Sequence, residues 1–166
     1  MKVEDPNALR FILQDDIYLL EEDRHNYNNV PKPQPKIETP QVNFNYLGAN
    51  KKNFLILANY PEHEFIADDH LKALESVLSR KGHSLEDVAI LNIAKTTAEY
   101  KLLTNYFKPQ ILLILGQQSI PGGMVQPQFN LHENLDGLNV LYTFSFDAMM
   151  ASTDNKKAFW EQIKTL

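Results

Sequence analysis

The sequence predicts an α/β domain, a three-layer sandwich built on a central, mainly parallel sheet of about four strands, preceded by an N-terminal helix on a proline-rich linker. Three observations carry this expectation. Short, nearly continuous apolar runs, FLIL at 54–57, VAILNI at 88–93 and QILLIL at 110–115, have the pattern of strands buried on both faces. Stretches with apolar residues at helical spacing separate those runs, and alternation of strand and helix gives βαβ units with parallel strands. Prolines and charges crowd the stretch before the first run. The expected boundaries are 1–20 for the N-terminal amphipathic helix, 21–50 for the linker and 51–166 for the α/β domain.

Taken in order, residues 6–20 form the first expected helix. Asp5 can cap it, Pro6 suits its first turn, and Leu9, Leu13, Ile17 and Leu20 recur at helical spacing. Phe11, Ile12, Tyr18 and Leu19 widen the apolar surface beyond one stripe, more than a solvated helix requires. Such a helix either packs on its own domain or is offered to a partner, as in helix-in-groove recognition. Residues 21–41 carry Pro31, Pro33, Pro35 and Pro40 among charges and asparagines, a composition that favours an extended tether.

From residue 52 the pattern is regular. After the 54–57 strand, Asp68 or a neighbour caps a helix with Leu71, Leu74, Val77 and Leu78 on one face, stopped by Gly82. The 88–93 strand follows. Thr96 with Glu99 reads as a capping box opening a helix through Leu102, Leu103, Tyr106 and Phe107, ended near Pro109. The 110–115 strand ends in Gly116-Gln117-Gln118; a Pro/Gly loop with a short extended piece at 128–131 leads to a strand at 139–144. Ser152-Thr153-Asp154 starts a final helix carrying Phe159, Trp160 and Ile163. Four loops then gather at the carboxyl ends of the strands, 59–63, 92–96, 116–123 and 145–152, where α/β proteins place their sites.

Composition narrows the function. The absence of cysteine excludes disulfides and thiolate chemistry. The net charge of −5 divides into −3 over residues 1–50 and −2 over 51–166, with no basic block in either, which argues against strong direct nucleic-acid binding. The start of the chain has no signal-peptide core and the apolar runs are too short to cross a bilayer, so the expectation is a cytoplasmic protein.

The loops hold few chemical groups. Glu62, His63, Glu64 and Asp147 are the titratable candidates for acid–base work, and the plainer reading makes them solvated loop and helix-start residues. His63 and His70 with Asp68 and Asp69 match no metal-ligand spacing, and the plainer reading places them on the surface. The glycines at 116 and at 122–123 form neither a dinucleotide fingerprint nor a P-loop, and Ser119 and Ser145 lack a nucleophile elbow. No cofactor and no metal is expected.

Two resemblances go further. The run YFKPQILLILGQQ at 106–118 is similar to the strand before the central glycine of the uracil-DNA glycosylase superfamily, and the order of elements agrees with that fold. In that superfamily the first loop carries a water-positioning Asp, Glu or Asn beside an aromatic that stacks on uracil, and the last carries a His-Pro-Ser type motif. The matching stretches are Ala58-Asn59-Tyr60-Pro61-Glu62 and Thr143-Phe144-Ser145-Phe146-Asp147. The histidine is missing and the Gly-Gln/Glu-x-Pro turn is degenerate, leaving Asn59, Pro61 and Ser145 as remnants. If the chain were an enzyme, this resemblance would assign the work to Asn59, Glu62, Tyr60 and Ser145.

The second resemblance covers more of the chain. Leu13-Gln-Asp-Asp-Ile17, Phe54-Leu-Ile-Leu-Ala-Asn59 and the ending from Phe146 through Trp160 to Ile163 resemble the psi-subunit family of the bacterial DNA polymerase III holoenzyme. That family has an inactive domain of the glycosylase-like fold and an N-terminal segment that binds the clamp loader. The resemblance implies a non-catalytic interaction subunit of the replication machinery, whose helix engages the clamp-loader collar while the α/β domain holds a chi-like subunit. The implied anchors are Leu9, Phe11, Leu13, Ile17 and Leu20, because apolar and aromatic side chains dominate interface energies.

Overall fold

The computed structural model describes residues 43–166 except Asp136. The chain divides into two units, Met1–Gln41 and Val42–Leu166. The expected N-terminal helix and its anchors Leu9, Phe11, Leu13, Ile17 and Leu20 therefore lie outside the described residues, as does most of the expected linker.

The second unit is a mixed six-stranded sheet with helices on both faces. Its strands are β1 (Leu47–Gly48), β2 (Phe54–Ala58), β3 (Val88–Asn92), β4 (Ile111–Leu115), β5 (Leu131–Leu135) and β6 (Leu138–Thr143), in the spatial order β1-β3-β2-β4-β6-β5. The four inner strands are parallel, and the two edge strands pair antiparallel. The sheet is thus larger than the expected four or so strands: the four inner strands are parallel, and two antiparallel edge strands are added. Both edges were hidden for physical reasons. β1 is only two residues long, and β5, Leu-His-Glu-Asn-Leu, is half exposed and polar, as edge strands are.

The linker also ends earlier than expected. Phe44 is buried, packing against Phe107 at 5.5 Å, and Leu47 pairs with Ile90, so residues 43–50 belong to the α/β unit.

Register explains the core. Ile90, Ile56, Leu113 and Leu141 lie in one row across β3, β2, β4 and β6. They face α1 (Asp68–Arg80) through Leu74 and Leu78, and the C-terminal helix through Phe159 and Ile163. The next row, Ala89, Leu55, Leu112 and Val140, points to the other face, where α2 (Tyr100–Phe107) contributes Leu103 and Phe107. Each of the Val, Leu, Ile and Phe side chains taken from water contributes about 1.5–3 kcal/mol, which is why the inner strands are apolar at nearly every position.

Helix starts depart from expectation at two places. The Thr96–Glu99 capping box does not form. Glu99 is extended and bridges Gly122, Tyr100 N–H donates to the Gly122 carbonyl at 2.9 Å, and α2 begins only at Tyr100. At the other end, the expected 145–152 loop contains a short helix, α3 (Phe146–Ala151), capped by Ser145. The final helix, α4 (Thr153–Ile163), starts as expected, with the Ser152 hydroxyl accepting the Asn155 N–H.

The connections place the site. The segment leaving β2 enters α1 on one face, while the segment leaving β4 packs Ile120 and Met124 on the other. Neighbouring strands whose connections diverge to opposite faces leave a crevice at their carboxyl ends, the usual position for a site in an open α/β sheet.

Candidate functional site

Asn92 organises the crevice. It ends β3 and is buried, and its carboxamide is fully engaged. Oδ1 accepts the backbone N–H groups of Tyr60 at 2.9 Å and Ala94 at 3.1 Å, and Nδ2 donates to the carbonyls of Tyr60, His63 and Glu64. One side chain therefore shapes the whole loop after β2. A polar side chain closing the run Val-Ala-Ile-Leu-Asn was the available signal, since a buried carboxamide requires partners.

The loop turns the Tyr60 ring inward, where it is 9 % exposed and joins the core. Its hydroxyl lies 2.9 Å from His70 Nδ1. The His70 ring stacks on Phe146 at 5.4 Å, and its Nε2 lies 4.0 Å from Asp147 Oδ1. Burial holds the Tyr60 hydroxyl above the ordinary tyrosine pKa, and the Asp147 charge pushes the same way, so the phenol stays protonated. The protonated Tyr60 hydroxyl is a hydrogen-bond donor placed against the His70 ring.

His70 is thus mostly covered rather than a surface residue, its side chain 14 % exposed, while His63 is exposed. The sequence did carry a signal: positions 70, 74 and 78 share one helix face, and Leu74 and Leu78 are core.

Among the residues that a glycosylase-like enzyme would use, Asn59 donates from Nδ2 to the Gln118 carbonyl at 3.2 Å, bridging the mouth of the crevice. Tyr60 packs in the interior, not where a base could stack on it. Glu62 is exposed, and Ser145 Oγ accepts the Ala148 N–H as a helix cap. On the β4 side, the Ser119 hydroxyl donates to the Leu115 carbonyl at 2.7 Å. Gly116 has φ +86°, and a Cβ there would come within 3.0 Å of the Ser145 Cβ. Glycine therefore lets the loops after β4 and β6 meet.

No protein-family model matches the chain, and no curated protein matches it significantly.

The geometry of the crevice brings Asn59, Tyr60, His70, Asn92, Gln118 and Asp147 to one end of the sheet, where Asn59, Tyr60 and Asn92 are held by hydrogen bonds to their neighbours and Asp147 stays exposed. Among the described residues no group of three or more His, Asp or Glu side chains could hold a metal ion, and no helix is long and apolar enough to cross a membrane.

Proposed function

We propose that this chain is a non-catalytic protein–protein interaction subunit of the bacterial DNA replication machinery, similar to the psi subunit of DNA polymerase III. On this reading the α/β unit is a uracil-DNA glycosylase-like scaffold that has lost its chemistry, working in the cytoplasm. The N-terminal segment binds the clamp loader through Leu9, Phe11, Leu13, Ile17 and Leu20, and the α/β unit holds a chi-like partner.

One observation carries the non-catalytic half: Asn59, Tyr60, Ser119 and Ser145 at the strand ends all have hydrogen-bond partners within the protein. The Asn59 amide bonds to Gln118, the Tyr60 hydroxyl to His70, the Ser119 hydroxyl to its own strand and the Ser145 hydroxyl to its own helix. A hydrolase needs such groups directed at a substrate and a water. The acidic net charge of −5 adds a cost to gripping a phosphate backbone. The resemblance of residues 13–17, 54–59 and 146–163 to the psi family supports the replication half.

A second reading, a divergent glycosylase-like hydrolase acting on nucleic-acid bases, is favoured by one feature, the Asp147 carboxylate beside His70. Incubating the purified full-length chain with uracil-containing single-stranded DNA separates the two. The proposal expects no uracil release above that of an Asn59→Ala/Glu62→Gln/His70→Ala control. Release that depends on those side chains would decide for the hydrolase.

A further inference from the structure

On the α1 face, α1, α3 and α4 leave an open groove of about 200 Å³, which reaches the Phe146 ring that stacks on His70. Its walls are apolar: Ala73 and Val77 from α1, Met149 and Met150 from α3, and Trp160 from α4. The volume lies below the roughly 300–1,000 Å³ of small-molecule sites. A dry cavity of about 150 Å³ accepts a benzene ring, so this groove has room for one aromatic or two aliphatic side chains. Methionine walls adapt to different apolar shapes, and Met150 is 43 % exposed.

The charged residues of the lining are Arg80 and Lys156, both cations. The Arg80 guanidinium carbon lies 5.6 Å from the centre of the Trp160 ring. At that distance the cation lies over the indole face within cation–π range, and arginine's N–H donors suit it to receive a carboxylate. Among the described residues, no carboxylate lies within ion-pair distance of either cation. An apolar floor flanked by two uncompensated cations has a definite complement: apolar side chains flanked by acids.

We infer that this groove docks an amphipathic helix of a partner protein, apolar at three- and four-residue spacing and carrying Asp or Glu where it passes Arg80 and Lys156. The walls are themselves helix rows, Ala73, Val77 and Arg80 on α1 and Lys156, Phe159 and Trp160 on α4, a surface into which the ridge of a third helix packs. A second copy of this chain seated about a two-fold axis would bring two basic rims together, an unfavourable pairing. A small anion would leave the apolar floor in water. The inference rests on the interaction-subunit reading in taking the occupant to be a protein, and it holds whether or not that protein belongs to the replication machinery.

The test uses the full-length chain and fluorescent helical peptides of about 18 residues, five turns. One peptide has Leu and Phe on one face with flanking Glu. A second replaces each Glu by Lys, and a third replaces Leu and Phe by Ser. Fluorescence anisotropy should show the first binding about tenfold or more tighter than either other, and R80E/K156E, at two exposed positions, should reverse the preference between Glu and Lys peptides. Equal affinities, an unchanged order in R80E/K156E, or no binding would overturn the inference. So would a photo-crosslinker at Met150 that captures the same chain, or sedimentation showing a dimer that Met150→Glu dissociates. If the peptide results hold while clamp-loader binding fails, the replication reading alone is lost.

Discussion

Asn92 clamps Tyr60 at two points: its Oδ1 accepts the Tyr60 N–H at 2.9 Å, and its Nδ2 donates to the Tyr60 carbonyl at 2.8 Å. The carboxamide works like a continuation of sheet pairing beyond the strand ends, and it settles where the loop after β2 goes. Replacing it by alanine leaves buried backbone groups without partners, each costing about 1–3 kcal/mol. Asn92→Ala should therefore lose about 3 kcal/mol of stability in urea unfolding. Asn92→Asp keeps an acceptor for the N–H groups but aims an ionisable oxygen at the carbonyls of Tyr60, His63 and Glu64. Those carbonyls favour the protonated acid and raise its folded-state pKa, so this variant should be more stable at pH 5 than at pH 8 relative to wild type.

The buried Tyr60 phenol gives an alkaline signature. Its folded-state pKa is raised above the ordinary 10.0, chiefly by burial and then by Asp147. The folded state holds the proton more tightly than the unfolded state does. The contribution is complete below about pH 10 and falls as pH rises further, by up to about 1.4 kcal/mol per pH unit for one group. Tyr60→Phe should lose about 1 kcal/mol at pH 7 through its missing bond to His70, yet show a flatter fall in stability between pH 9 and pH 11.

Gly116 is predicted to tolerate no side chain. Its φ of +86° with ψ of 155° lies in a region that glycine alone occupies easily, and the Ser145 side chain faces the missing Cβ at 3.0 Å. Gly116→Ala should cost about 1–3 kcal/mol, whereas Gly123→Ala, where a Cβ meets open space, carries the backbone strain without the contact. Thermal unfolding of the two variants side by side measures the close approach of the two loops.

Ser145 and Ser152 act as caps. Each hydroxyl accepts an N–H three residues on, from Ala148 and Asn155. Ser145→Ala and Ser152→Ala should each lose about 1 kcal/mol. Calorimetry checks this, and equal losses at the two positions would show that Ser145 does nothing its neighbour does not.

Much of this fold was legible in the chain, and the gaps have specific causes. The inner strands declared themselves because both of their faces are covered, so Phe54–Ala58 and Ile111–Leu115 contain no polar residue. Ser152-Thr153-Asp154 announced α4 because a cap is local chemistry. The edge strands depended on partners distant in sequence: Leu47 and Gly48 become a strand only because Ile90 and Ala89 lie beside them. The Thr96–Glu99 pattern misled because the Gly122 loop holds Glu99 extended, a tertiary contact that overrides a local signal. At the site, Asn59, Tyr60 and Glu62 were placed at the correct strand end, while the inward turn of Tyr60 was not visible. That turn depends on Asn92 and His70, whose roles appear only once β3 and α1 lie next to the loop.

The central claim, an interaction subunit of the replication machinery, is tested most directly by titrating the immobilised full-length chain with purified clamp loader from the same organism. The account predicts saturable binding. It also predicts that Leu13→Asp/Ile17→Asp weakens binding by about a hundredfold or more, as loss of two apolar anchors should, while thermal unfolding of the α/β unit stays unchanged. Absence of binding, or a double variant that binds as tightly as the wild type, would contradict it.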